Sequence, residues 1–192
     1  TSGDLYLNIG SRAADREEID TNDNAETFIV KSTGGSAGDE TVEVQWGNWK
    51  QTFEHVSRVV VEDAGAGDDY IDVRGLKSEV EIHGGAGDDS IFLSDGNDST
   101  AYGDDGNDTI TASTEAGVTG VVIHGGNGND TITAGPEGIT IYGDGGNDTI
   151  TGSLGVDFLY GDDGTGTITD GADTITGFAG VDAIRGGQGS AN

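Results

Sequence analysis

GGNGNDTIT, from Gly125 to Thr133, and GDGGNDTIT, from Gly143 to Thr151, are two copies of one nine-residue phrase that returns along most of the chain. In register with them stand GGAGDDSIF from Gly84, LSDGNDSTA from Leu93, GDDGNDTIT from Gly103, GSLGVDFLY from Gly152, GDDGTGTIT from Gly161 and GFAGVDAIR from Gly177. A degenerate copy, AGAGDDYID, begins at Ala64. The phrase sets glycine fourth, aspartate sixth and an apolar residue eighth. Glycine allows positive φ and close backbone approach, so the first half reads as a tight turn. The apolar eighth residue, flanked by polar ones, is the inward position of a very short strand. Each phrase builds half a coil, and equivalent positions recur about eighteen residues apart.

Coil starts then fall at Gly84, Gly103, Gly125, Gly143, Gly161 and Gly177. Their sixth-position aspartates form one row, Asp89, Asp108, Asp130 and Asp148, which Asp69 begins. The next place is held by Gly166, a weakened position for which Asp173 in GADTIT is the substitute. The opposite row is poorer. Asp98 and Asp157 fit it, and the half-coils at Gly117 to His124 and from Ala134 bring no aspartate to that place. Asp182, sixth in the copy from Gly177, is a further ligand candidate. Rows of carboxylates beside main-chain carbonyls are hard oxygen ligands suited to Ca2+, whereas zero cysteines and three histidines argue against zinc or copper.

The pattern resembles the calcium-binding repeats of the repeats-in-toxin (RTX) family of secreted bacterial proteins, over residues 64 to the C-terminus. That resemblance implies an all-β fold, a right-handed parallel β-roll, with sixth-position aspartates from one turn and carbonyls from the next enclosing several Ca2+ ions. The turn glycines Gly85, Gly87, Gly106, Gly126, Gly128, Gly146 and Gly164 are the main-chain candidates for these sites, and the second-position Asp104, Asp144 and Asp162 are the candidates for reinforcing them. It also implies export by a type I system and folding outside the cell, where sites of ~10⁻⁴ to 10⁻³ M affinity fill.

Composition leads to the same expectation separately. The formal net charge is −28, from 36 acidic against 8 basic residues. Self-repulsion on that scale opposes a compact state, and bound divalent cations remove it where carboxylates converge. Acidic, glycine-rich composition alone would read as disorder. The regular aspartate and isoleucine positions instead predict a chain that is loose without calcium and folds with it.

Residues 1–63 lack the phrase and read as strands: LYLNI at Leu5, TFIV at Thr27, TVEVQW at Thr41 and VSRVVVE at Val56. They are expected to cap the end of the 64–192 roll, since a solenoid's terminal edge needs cover. DREEIDTNDN at Asp15 to Asn24 resembles calcium-ligand phrases of cadherin linkers, but at a spacing too short for a cadherin repeat. Neither a signal peptide nor a membrane span is read in the sequence. A chain starting at Thr1 and stopping within a repeat reads as a piece of a larger protein with flanking domains.

His83, Tyr102, His124, Tyr142 and Tyr160 precede the coil starts and form an outward column; Thr-x-Thr pairs form outward ladders on the other strand row. These surfaces carry the alternative reading, an adhesive module for polysaccharide, ice or a cell-surface partner. Enzymatic chemistry is not expected: there is no GxSxG nucleophile motif, and abundant carboxylates are what any acid-rich calcium protein shows. The negative field opposes nucleic acid, and the glycine turns lack a P-loop lysine.

Overall fold

Two columns of short parallel strands carry the fold of this computed structural model, which describes residues 3–7, 25–162 and 171–187. The first column stacks β5 (Tyr70–Asp72), β7 (Ser90–Phe92), β9 (Thr109–Thr111), β11 (Thr131–Thr133), β13 (Thr149–Thr151) and β15 (Thr174–Thr176). The second stacks β6 (Glu79–Ala86), β8 (Thr100–Asp105), β10 (Val122–Asn127), β12 (Thr140–Gly145), β14 (Phe158–Tyr160) and β16 (Ala183–Arg185). Chain order alternates between the columns, so each coil contributes one rung to each. No helix occurs among the described residues. The molecule is an all-β parallel roll.

The β-branched Thr-Ile-Thr triplets favour this geometry, with the central residue inward and its neighbours outward. Ile71, Ile91, Ile110, Ile132 and Ile150 are fully buried in the first column. They face Ile82, Ala101, Ile123, Ile141 and Leu159 of the second, also fully buried. The core is a narrow stack of aliphatic layers.

At the N-terminal end the pattern changes. β2 (Thr27–Ser36) adds to β5 in parallel, β3 (Asp39–Trp46) returns antiparallel on β2, and β4 (Trp49–Val61) runs antiparallel to β3 and then parallel to β6. β1 (Gly3–Leu7) lies parallel on the free side of β4. The meander therefore joins the two columns into one sheet. Val42, Val44, Val59 and Val61 continue the core into it. Glu40, fully buried, ties β3 to the first coil by accepting the N–H groups of Lys77 (3.0 Å) and Ser78 (2.7 Å).

Three register expectations change. Thr174–Thr176 pairs with Thr149–Thr151, so Ile175 takes the rung expected of Ile168, which with Gly164 and Gly166 lies outside the described residues. The Asp148-to-Asp173 step is thus 25 residues where Asp130 to Asp148 is 18. That longer coil also moves Gly177. Its missing side chain faces Asp182 as that of Gly152 faces Asp157, and β16 follows it, so Gly177 starts a half-coil on the opposite edge. Finally, Ala101 faces inward on β8 in line with Ile123, Ile141 and Leu159, but it stands ninth in its copy where Leu159 stands eighth; Ser99 therefore holds the place of Asp157, and Asp98 falls one residue outside that row, at φ 58°. No helix of the described residues is long and apolar enough to cross a membrane.

Candidate metal centre

The turn between the second and first columns is where the sixth-position aspartates meet. Each is buried, and each does the same thing with one oxygen. The Asp69 N–H donates to Asp89 Oδ1 (2.7 Å), Asp89 N–H to Asp108 Oδ1 (2.8 Å), Asp108 N–H to Asp130 Oδ1 (2.8 Å) and Asp130 N–H to Asp148 Oδ1 (2.8 Å). The relay runs on at both ends, from the Glu26 N–H to Asp69 Oδ1 (2.6 Å) and from the Asp148 N–H to Asp173 Oδ1 (3.0 Å). Asp173 thus continues the row across the long coil.

The second oxygen is treated differently. Oδ2 of Asp89, Asp108, Asp130 and Asp148 is buried without a hydrogen-bond donor. Buried carboxylate oxygens ordinarily have a partner, so four repeats of the same vacancy in one row demand a cause. The first-position glycines show what lies opposite. A Cβ built on Gly125 would collide with Asp130 Oδ2 and stand 2.5 Å from the Gly143 carbonyl oxygen; Gly84 faces Asp89 Oδ2 and the Gly103 oxygen, and Gly143 faces Asp148 Oδ2 and the Gly161 oxygen. One carboxylate oxygen and one carbonyl of the next coil converge beside each of these glycines. Among the described residues no three acidic or imidazole side chains meet at one point, because the convergence is of one side chain with main chain. Oxygen donors of this kind suit a hard cation.

Electrostatics agree. Burial pushes the Asp89, Asp130 and Asp148 carboxyls up to about 7 and that of Asp108 to about 6, from an ordinary 3.8; the relay N–H opposes the rise and neighbouring carboxylates add to it. These groups are strained as anions in a metal-free roll.

The other expected residues take distinct places. Gly87, Gly106, Gly128 and Gly146, at the fourth position, each abut the carbonyl of the coil before; a Cβ on Gly128, whose φ is 137°, would collide with the Gly106 oxygen. Gly85 and Gly126 hold the left-handed second position, which Asp104 (φ 73°) and Asp144 (φ 69°) also adopt. Their carboxylates engage histidines of the preceding coils, Asp104 with His83 Nδ1 (3.1 Å) and Asp144 with His124 Nδ1 (3.0 Å). The Asp104 contact draws the His83 value upward against burial. Asp162 is buried and lies against Gly187. On the opposite edge the relay exists in part: the Val80 N–H donates to Ser99 Oγ (3.2 Å), the Ile139 N–H to Asp157 Oδ1 (3.1 Å) and the Asp157 N–H to Asp182 Oδ1 (3.2 Å). Asp157 Oδ2 accepts the Ser153 N–H at 2.6 Å, unlike its counterparts in the dense row. The Asp15 to Asn24 phrase lies outside the described residues.

Two features were not singled out from sequence. One is the first-position glycine carbonyls. The other is a ladder at the fifth position, where the side-chain amide of Asn129 donates to Asn107 Oδ1 (3.1 Å) and that of Asn147 to Asn129 Oδ1 (3.0 Å). The column His83, Tyr102, His124, Tyr142, Tyr160 stacks ring on ring, with centroids 4.4 to 5.0 Å apart and planes within 13°. The rings cover one another's faces.

A family model described as RTX calcium-binding nonapeptide repeat (4 copies) matches residues 73–100, 99–114, 121–136, 140–168 and 169–190. No curated protein and no solved structure matched.

The raised carboxyls set a pH dependence. In chelator the folded roll retains protons that the unfolded chain has released above an ordinary carboxyl value, so its stability falls as pH rises from about 4 through about 7. Circular dichroism in chelator should show more β structure at about pH 5 than at about pH 7.5, while calcium affinity weakens over the same descent because protons compete for the carboxylates. A flat response in both would remove burial as the cause.

Proposed function

The chain belongs to the RTX calcium-binding nonapeptide repeat family, and from that premise we propose that its dense aspartate row takes up Ca2+ outside the cell and that uptake folds the roll. RTX repeats make a calcium-binding β-roll module, a structural kind of domain typical of secreted bacterial proteins. The observation that carries the finer reading is the row of four buried Oδ2 atoms without donors, each beside a carbonyl of the neighbouring coil.

Asp89, Asp108, Asp130 and Asp148 hold these sites, with Asp69 and Asp173 extending the row and Asp157 and Asp182 forming a shorter one opposite. Each of these four aspartates is oriented by its Oδ1, which accepts the N–H of the aspartate one coil earlier, and leaves Oδ2 for the ion. When bound, calcium supplies positive charge to oxygens the fold has removed from water. Without it, desolvated like charges stacked one coil apart oppose folding. Binding energy to sites that exist only in the coil becomes folding energy. A type I export route suits such a chain, which stays extended in a calcium-poor cytosol. Within residues 1–63, the meander of β1 to β4 serves as the cap that covers the first coil.

The adhesive alternative draws less support. Sugar stacking needs an open aromatic face, and the ring column presents edges. Polysaccharide, ice or cell-surface partners stay with that alternative, whereas flanking domains of a larger chain fit either reading.

A calcium titration followed by far-UV circular dichroism, with magnesium as control, should give a steep coil-to-β transition with calcium alone; stable β structure in chelator at neutral pH would sink the folding switch. Asp130→Ala should raise the calcium midpoint by roughly tenfold, a charged hydrogen-bond partner's worth, and Asp157→Ala by less. Equal effects would mean the two edges load alike. Removing residues 1–40 should lower the cooperativity of the transition and raise its midpoint; an unaltered curve would make the N-terminal segment independent of the roll.

A further inference from the structure

Asn127–Gly128 is the single Asn-Gly pair in the chain. Asparagine is chemically labile, and most so before glycine, where no Cβ obstructs approach of the following nitrogen to the side-chain carboxamide. The other asparagines of the repeat turns, Asn107, Asn129 and Asn147, precede aspartate. Asn127 is exposed, so solvent reaches it.

The folded roll occupies both reacting groups. Asn127 ends β10, paired with Asp105 on one side and Gly145 on the other, and this holds its backbone extended. The nucleophile, the Gly128 nitrogen, donates its N–H to the Gly145 carbonyl at 2.6 Å. The carboxamide donates from Nδ2 to Asp105 Oδ1 at 2.7 Å. Attack needs the nitrogen turned onto Asn127 Cγ, and that requires both hydrogen bonds to break and the strand to leave its rung.

We propose that Asn127 is a spontaneous deamidation site that the folded roll protects and the calcium-free chain exposes. The inference rests on the calcium-dependent folding proposed above. The Gly128 nitrogen forms a bond to Asn127 Cγ, its proton leaves with the side-chain nitrogen as ammonia, and a five-membered imide results. Water then opens the imide at either carbonyl, giving aspartate or isoaspartate. No other reactant is needed. Either product damages the rung. Aspartate at 127 loses the Nδ2 donor and sets a second carboxylate against Asp105, an unfavourable like-charge pair across neighbouring strands. Isoaspartate inserts a methylene into the main chain between two hydrogen-bonded rungs. Time spent without calcium is thereby written into the covalent structure, at one coil in the middle of the dense row.

The test incubates the whole chain at neutral pH in calcium and in chelator, with circular dichroism on the same samples and peptide mass spectrometry plus an isoaspartate methyl-acceptance assay over time. Conversion confined to Asn127 in chelator, and slowed by more than about tenfold in calcium, is expected, since reaction through an opened state follows that state's population. Asn127→Gly, which places at this rung the residue that Gly145 supplies in the next coil, should abolish the product and leave the calcium midpoint within twofold. Equal rates in the two conditions would overturn the proposal, as would absence of product at Asn127 in chelator. Where rates are equal, the dichroism separates the causes: a calcium-induced transition without protection condemns the protection argument, and no transition condemns the folding premise.

Discussion

A carboxylate has two oxygens, and in this roll they have separate duties. Oδ1 of each row aspartate takes the N–H of the aspartate one coil earlier, which fixes the distance and register between coils at the turn. Oδ2 is left buried beside a carbonyl. The first duty bears on the second: with Oδ1 locked to the neighbouring backbone, Oδ2 of the dense row is held where no donor reaches it, whereas Asp157 Oδ2 on the opposite edge meets the Ser153 N–H. The glycines follow from the same constraint. A side chain at the first position would fill the space where Oδ2 and the carbonyl meet, and one at the fourth would strike the coil before. The thin aliphatic core, one residue per rung from each column, fills the interior but does not by itself set the turn.

The remaining ladders show how a chain of net charge −28 arranges identical rungs without stacking like charges everywhere. At the exposed fifth position Asp68 and Asp88 open the ladder, and asparagines continue it through Asn107, Asn129 and Asn147. An amide both donates and accepts, so it can repeat indefinitely along the axis; an ionised carboxylate can only accept. Behind the second column the stacked rings supply another continuous contact, closed at the C-terminal side by the Arg185 guanidinium over Tyr160. Some carboxylates outside the dense row are matched as well, Asp104 and Asp144 by histidines and Glu79 and Glu81 by Arg58.

Much of this was legible because the phrase has a fixed period. The dense aspartate row, the inward isoleucines and the ring column follow from counting nine residues at a time, and the structure sets each in one line. Counting fails where length and register part. The copy from Leu93 carries one residue more before its strand than the copy from Gly152, so Asp98 shares the phrase position of Asp157 but not its place, and with Ala101 beside Ile123 it is Ser99 that stands there. The step from Asp148 to Asp173 is longer than its neighbours, so Ile175 takes the rung counted for Ile168 and Gly177 starts on the opposite edge. The histidine partners of Asp104 and Asp144 lie 21 and 20 residues earlier, a separation at which a single sequence gives no sign of contact. The first-position carbonyls were missed because main-chain atoms carry no residue signature.

Because every rung is bonded only to the rungs above and below it, the roll is a one-dimensional stack. A pull along its axis loads the terminal rung first and the others in turn. Each coil that gives way frees 18 to 25 residues, roughly 60–90 Å of extended chain, while the coils behind it keep their bonds. The fold is therefore a staged extensible tether whose step length is written in the spacing of its aspartates.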